Sequence, residues 1–266
     1  MSRRLALFAL FSLAASLLLP ALGTAPFERA EIYFMDVARG MVESGDYLVP
    51  RYRDELFFDN PPLSYWLMAA AFLSFGIEPQ SARLVPAVAA LLVIAATLWL
   101  GRIFFSWRHA MTGALILTTT VPFLGFGRLA MSDMLLTLSC VASVALAAEM
   151  AKREEAHGWR AVALGVVLGL GFMTKGPVAL ILPGFAVALL LLGVGPFRLR
   201  PRFHVSWLAA ALAFAAAGLS WFAAIYARLG PAPLGYFFLS ENLEQRFYTE
   251  LWELRNRLTR RAGTSY

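Results

Sequence analysis

Apolar residues run through this chain in long blocks, and charge gathers at the seams between them. Seven blocks stand out, at 5–22, 84–105, 109–124, 134–150, 161–174, 177–194 and 205–226. A helix that crosses the hydrocarbon core of a bilayer needs about 20 mostly apolar residues. The stretch 161–194 is long enough for two short spans, broken at Thr174-Lys175-Gly176-Pro177. The first block follows Arg3 and Arg4, as the apolar core of a signal peptide would. Because further blocks follow, it reads as a retained first span.

Between the first two blocks lies a polar segment, 25–80. Within it Phe34, Val37, Ala38 and Met41 recur at helical spacing, which predicts a helix over 31–44 with one apolar stripe. Ser44-Gly45-Asp46 ends it. That stripe is expected to rest on the bilayer or on neighbouring spans. The run 61–75 is apolar but short and opens with Pro-Pro, so it is expected to lie on or dip into the membrane surface.

Composition narrows the class. Hydrophobic residues make up 59% of the 266 and charged residues 15%, against about 45–50% and about 25% in a soluble domain. One soluble core could not hide that excess, and disordered chains are poor in aromatics, which reach 14% here. The expected fold class is therefore all-α and polytopic. The net charge of +6 sits mostly between apolar blocks, where membrane topology and anionic lipid explain it without nucleic acid. The single cysteine, Cys140, excludes an internal disulfide, and His109, His157 and His204 lack metal-ligand spacing.

Short loops rich in Lys and Arg mark the cytoplasmic side. Arg3/Arg4, Arg102/Arg108, Lys152/Arg153/Arg160 and Arg198/Arg200/Arg202 share one side if seven spans alternate. The opposite side has more basic residues in total, but most lie in the long 25–80 loop and the tail, which weigh less in that rule. The N-terminus is thus expected inside and the 25–80 loop outside. That loop holds nine of the 17 acidic residues.

Ionisable residues near membrane depth are costly and usually face a cavity or a partner. Three places qualify: Glu28-Arg29-Ala30-Glu31 after the first block, Arg128 with Asp133, and Lys175. Carboxylates beside Arg and Lys suit proton abstraction next to a bound phosphate. Plainer roles compete. Glu31 can serve the helix dipole, Asp133 can be an N-terminal cap, and Lys175 can snorkel to the interface. Glu43, Asp46, Asp54 and Glu55 read as solvated charges, and Arg51 and Arg53 as surface or ligand contacts. Gly169-Leu170-Gly171 reads as helix packing.

Six segments occur in order: 38–50 (ARGMVESGDYLVP), 57–67 (FFDNPPLSYWL), 81–84 (SARL), 128–137 (RLAMSDMLLT), 171–180 (GFMTKGPVAL) and 236–247 (YFFLSENLEQRF). This set resembles the ArnT-like and protein O-mannosyltransferase-like glycosyltransferases of family 39, which have the GT-C membrane fold. The resemblance covers residues 1–247, leaving 248–266 as a divergent charged tail. It implies a polyprenyl-phosphate-linked sugar donor, membrane lipid around the protein, and transfer to an acceptor hydroxyl on lipid A, a protein or an envelope glycan.

The resemblance also implies roles. The base on the acceptor falls on Glu31, with Glu28 as second choice and Asp133 as a second acid. The family's Asp-Glu pair falls on Ala30-Glu31, so its first acid is absent. Arg39, Asp59, Arg128 and Lys175 fall at donor-phosphate positions, with Asn60 where relatives commonly carry Lys. Glu241-Asn242 replaces a Glu-His pair that helps bind metal in some relatives, so no metal or other cofactor is expected. Relatives are about twice as long, with eleven to thirteen spans of about 20 residues each. The chain therefore reads as an N-terminal half. The competing reading is a truncated, non-catalytic protein that binds polyprenyl phosphate.

Overall fold

The computed structural model describes residues 2–152, 158–192 and 206–238. Arg153, His157, Arg198, Arg200, Arg202, His204, the Glu241-Asn242 pair and the tail 248–266 lie outside the described residues. Helix α1 spans Arg3–Leu18, and the Ser2 hydroxyl accepts the Leu5 amide at 3.3 Å as its N-cap. It stops ahead of Pro20, since proline removes a backbone donor and restricts the residue before it.

Helix α2 spans Arg29–Ser44, and its buried apolar residues are Phe34, Val37, Ala38 and Met41. Gly45 closes it at φ 72°, a left-handed position that glycine takes without penalty. Strands β1 (Arg51–Tyr52) and β2 (Glu55–Leu56) pair antiparallel. Arg53 and Asp54 join them at φ 50° and 67°, the signs a two-residue hairpin turn requires. Helix α3 is Leu63–Phe75 and α4 is Pro79–Phe104. The remaining long elements are α5 (Trp107–Thr119), α6 (Val121–Phe126), α7 (Asp133–Lys152), α8 (Gly158–Lys175) and α9 (Val178–Leu191). Last come α10 (Ser206–Phe214), a π-helical turn (Ala215–Leu219) and α11 (Ser220–Leu229), which run on as one rod.

Among the described residues the membrane protein is helical apart from that hairpin, and each of the seven blocks contains helix. Among the described residues, three helices have both the length and the apolarity to cross a membrane: Pro79–Phe104, Asp133–Met150 and Ser206–Leu229. The 16, 13 and 14 residues of α1, α5 and α9 reach only about 20–24 Å at 1.5 Å per residue. The hydrocarbon core is about 30 Å thick. Proline sets these limits: Pro20 lies beyond α1, Pro122 splits the block 109–124 into α5 and α6, and Pro177 precedes α9.

The stripe of α2 does not face open bilayer. It packs on Tyr65, Met68, Ala69 and Phe72 of α3 and on Ala82 and Ala130. Two indoles fasten the adjoining loop: Trp66 donates to the Tyr47 carbonyl at 2.6 Å and Trp221 to the Leu48 carbonyl at 2.8 Å. Helix α8 lies close against the α10–α11 rod. A Cβ on Gly165 would collide with the Ala210 carbonyl, and one on Gly169 would sit 2.9 Å from the Gly218 nitrogen. Gly169 therefore serves helix packing, as expected of small residues within spans.

Candidate functional site

The buried end of α2 carries Glu31, which is fully buried. Both of its oxygens are occupied. Arg83 on α4, itself 1% exposed, forks onto it with Nε to Oε1 and Nη2 to Oε2, each at 2.8 Å. The Ala130 amide donates to Oε1 at 2.7 Å and the Glu28 amide to Oε2 at 3.1 Å. Burial alone would raise the carboxyl pKa. The Arg83 hydrogen bonds, together with the Ala130 and Glu28 amides, outweigh it and hold Glu31 below the ordinary carboxylate range.

This geometry changes the reading of Glu31. A base needs a free lone pair within reach of the proton it takes, and four donors already converge on this carboxylate. The carboxylate is a joint between α2, α4 and the 127–132 turn. Arg83 extends the joint by donating to the carbonyls of Leu22 (2.8 Å), Ala25 (3.0 Å) and Pro26 (3.1 Å). Arg83 was missed as a functional residue because the apolar block appeared to start at Leu84. The helix in fact starts at Pro79, one turn earlier, with proline in its favoured first-turn place. An arginine in the second turn of that helix is the kind of buried charge that demands a partner.

Arg128, expected on the donor phosphate, has a comparable structural use. It donates to the carbonyls of Leu17 (2.9 Å), Pro20 (2.7 Å) and Ala21 (3.3 Å). It thereby satisfies carbonyls at the open C-terminal end of α1. Arg128 and Glu31 together hold the 127–132 turn from two sides.

That turn delivers Asp133, the first residue of α7. Asp133 Oδ1 accepts from Lys175 Nζ at 2.7 Å, and both side chains are about one-third exposed, at 29% and 32%. Among the described residues, the buried Oδ2 of Asp133 and the Ser132 hydroxyl beside it have no hydrogen-bond partner. A buried acceptor left open is costly, so this pair is unfinished where the Glu31–Arg83 pair is saturated. Two of the expected site residues are thus brought together, and the backbone of Ala130 links them to a third.

The helices that carry this ion pair also wall an apolar groove of about 690 Å³. Its walls are α3, α4, α7 and α8; Leu135 and Thr174 on its lining are sequence neighbours of Asp133 and Lys175. Gly171 and Ser139 meet on its lining, where a Cβ on the glycine would collide with the serine.

Glu28 is exposed at the start of α2. Arg39 is more than half exposed and is held by Glu43 at 2.6 Å, one helical turn on. Asp59 is half-buried ahead of α3, beside Phe58, which packs on Trp221. Asp46 is not the solvated charge expected. It caps the Leu48 and Val49 amides and pairs with Arg228 of α11 at 3.0 Å. Burial opposes its ionisation, but Arg228 and the two amides keep its pKa below the usual value.

Residues 59–247 match the family model described as dolichyl-phosphate-mannose-protein mannosyltransferase. The chain is 31% identical over 239 residues to undecaprenyl phosphate-alpha-4-amino-4-deoxy-L-arabinose arabinosyl transferase 1 of Sodalis glossinidius, covering 88% of this chain and 41% of the relative. The corresponding transferase of Erwinia tasmaniensis is 30% identical over 249 residues, covering 90% and 43%. Among solved structures, ArnT from Cupriavidus metallidurans bound to undecaprenyl phosphate superposes with a TM-score of 0.78 at 22% identity, over 91% of this chain and 45% of that one. The oligosaccharyltransferase AglB from Archaeoglobus fulgidus gives 0.59 at 15% identity, over 98% and 34%. The fold is therefore the GT-C membrane architecture. The chain spans about two fifths of the length of these curated relatives.

Proposed function

The chain belongs to the dolichyl-phosphate-mannose-protein mannosyltransferase family, and from that premise we propose that it is the N-terminal half of a membrane glycosyltransferase. The donor is a sugar carried on a polyprenyl phosphate, and the acceptor is a hydroxyl on lipid A, protein or an envelope glycan. The observation that carries this reading is the Asp133–Lys175 pair on the same two helices, α7 and α8, whose Leu135 and Thr174 line the apolar groove. The pair offers charge for a phosphate, and the groove offers hydrocarbon walls for a prenyl tail. The arabinosyl transferases named above carry undecaprenyl phosphate in their names, which supports the same lipid here.

In this reading Asp133, not Glu31, is the base. The donor phosphate draws the Lys175 ammonium towards itself by charge-assisted hydrogen bonds, which releases Asp133. The open carboxylate takes the proton from the acceptor hydroxyl as its oxygen attacks the anomeric carbon. The bond from that carbon to the phosphate oxygen breaks, with inversion, and the electron pair leaves on polyprenyl phosphate beside Lys175. Stabilising that departing charge is the kind of term that usually dominates catalysis. Glu31, through Ala130, is a positioning residue for the turn that carries Asp133. The reaction is read without a resident metal, because Glu241-Asn242 offers one carboxylate where some relatives have a Glu-His pair.

The membrane is read as the bacterial inner membrane, with the N-terminus inside and the Asp133–Lys175 pair at the outer boundary. Single cysteines introduced at Asp54 and Ser106, with Cys140→Ser, test the orientation. An impermeant maleimide added to intact spheroplasts is expected to label position 54 and spare position 106; the reverse pattern rejects it. The activity is tested on the purified protein with undecaprenyl-phosphate-linked sugar and a hydroxyl acceptor, following release of undecaprenyl phosphate. Release that depends on Asp133 supports the reading. Tight donor binding with no release under any acceptor supports the non-catalytic alternative instead.

A further inference from the structure

We propose that the end of the helical bundle opposite Asp133 and Lys175 holds a second, non-catalytic site, which takes the head group of an anionic membrane phospholipid. The spacing of charges along two helices locates it. Arg102 follows Arg83 by 19 residues on α4, and Lys152 follows Asp133 by 19 on α7. At 1.5 Å per residue each interval is about 28 Å, close to the thickness of a hydrocarbon core of about 30 Å. The two ends of these helices therefore sit at the two faces of one bilayer.

A cavity of about 710 Å³ opens at this second end between α1, α4, α5 and α7. Leu7, Phe11 and Leu98 give it an apolar wall, and Arg102 and Lys152 stand on its lining with Trp107. Arg3 and Arg102 both lie on that one indole, with Cζ 5.6 and 5.5 Å from the ring centre. Each guanidinium gains from the ring, yet two like charges on one ring repel. Among the described residues, neither has a carboxylate within 4.0 Å. The acid on the lining, Glu149, is already engaged by Trp99 at 3.1 Å and Arg160 at 3.4 Å. Lys152 is anchored to the Ile103 carbonyl at 2.6 Å, which fixes its charge at the lip with two ammonium protons to spare.

An anion between these cations removes the repulsion. The apolar wall favours an anion that carries hydrocarbon, because free phosphate would leave that wall unfilled. The neighbouring face of α1 is open, with Leu5 54% and Phe8 72% exposed, so acyl chains reach the wall from the surrounding lipid. Basic pockets between membrane helices take phospholipid head groups by this chemistry.

The test uses the delipidated full chain in detergent, titrated with cardiolipin, phosphatidylglycerol, phosphatidylethanolamine or inorganic phosphate and followed by thermal shift and native mass spectrometry. Saturable binding and a raised Tm are expected with the two anionic lipids, and neither with phosphatidylethanolamine or inorganic phosphate. Arg3→Gln and Arg102→Gln are each expected to weaken that binding about fivefold, the attraction of one basic side chain to anionic lipid. Arg4→Gln, next in sequence but not over the Trp107 ring as Arg3 is, is expected to leave it unchanged. An equal response to phosphatidylethanolamine or inorganic phosphate overturns the proposal, as does an equal loss in Arg4→Gln. If the glutamine variants do not fold, an anionic lipid with a photoreactive acyl chain decides on the wild-type protein. Label on peptides holding Phe11 or Leu98 supports the site, and label confined to α2 and α3 overturns it.

Discussion

Two acid–base pairs lie only a short turn apart in this molecule and differ in almost everything but chemistry. Glu31–Arg83 is sealed from solvent, bidentate and saturated, with four N–H groups on the carboxylate and three backbone carbonyls on the guanidinium. Asp133–Lys175 makes one bond, is partly exposed, and among the described residues leaves the buried Oδ2 of the aspartate without a partner. The residue types alone make the first pair look as catalytic as the second. The number of partners separates them: a group with every lone pair in use holds structure, and a group with one to spare can accept a proton.

The comparison breaks most visibly at the first pair. Arg83→Ala or Glu31→Gln is expected to lower stability by about 3–5 kcal/mol, because each leaves an uncompensated buried group. Thermal unfolding and the yield of monodisperse protein check this. Combining Glu31→Leu with Arg83→Met is expected to recover only part of the loss, since the carbonyls of Leu22, Ala25 and Pro26 stay unsatisfied. A Glu31→Gln protein that keeps its wild-type Tm but loses turnover would restore Glu31 as the base.

At the second pair the losses are expected in rate. Asp133→Asn should reduce transfer per folded molecule by about 10²–10⁴-fold, the usual contribution of a general base, with little change in Tm. Lys175→Gln removes a charged hydrogen bond worth about 1.5–3 kcal/mol. It should weaken donor binding by roughly ten- to a hundredfold, read directly as the Kd for undecaprenyl phosphate.

A third expectation concerns pH. The pKa values of Glu31 and Asp46 are lowered in the folded protein, so the unfolded chain takes up protons first as pH falls. Their stabilisation is complete above the ordinary carboxylate range of about 4 and is lost as pH drops through the lower folded values. Unfolding midpoints measured from pH 7 down to pH 3 should therefore fall. The fall should be shallower in Arg228→Gln, where Asp46 loses its partner; that pair is partly exposed and contributes at most about 1 kcal/mol. The smallest effect is expected at Arg39. Its exposed pair with Glu43 contributes little, as surface ion pairs do, and Arg39→Gln should leave both Tm and donor affinity unchanged.

Much of the architecture was legible from local pattern. The α2 stripe could be read off Phe34, Val37, Ala38 and Met41 because helical period is a property of the sequence itself, and Gly45 marks its end for the same reason. Less legible were the ends of the long helices, where apolar runs continue past Pro20 and Pro122 although the backbone cannot. The misplaced start of α4 mattered most. With the block taken to begin at Leu84, Arg83 fell just outside it, and its claim on Glu31 across 52 positions had no local sign.

By itself the sequence determined an apolar helical protein in a membrane, the stripe that binds α2 to its neighbours, and the short list of charges that chemistry would need. Tertiary structure alone decided which of those charges are spent. Hydrophobic periodicity acts over one or two turns and is written in adjacent residues. Whether a carboxylate is saturated depends on donors from α4, from the 127–132 turn and from α8. Only packing brings these within 3 Å.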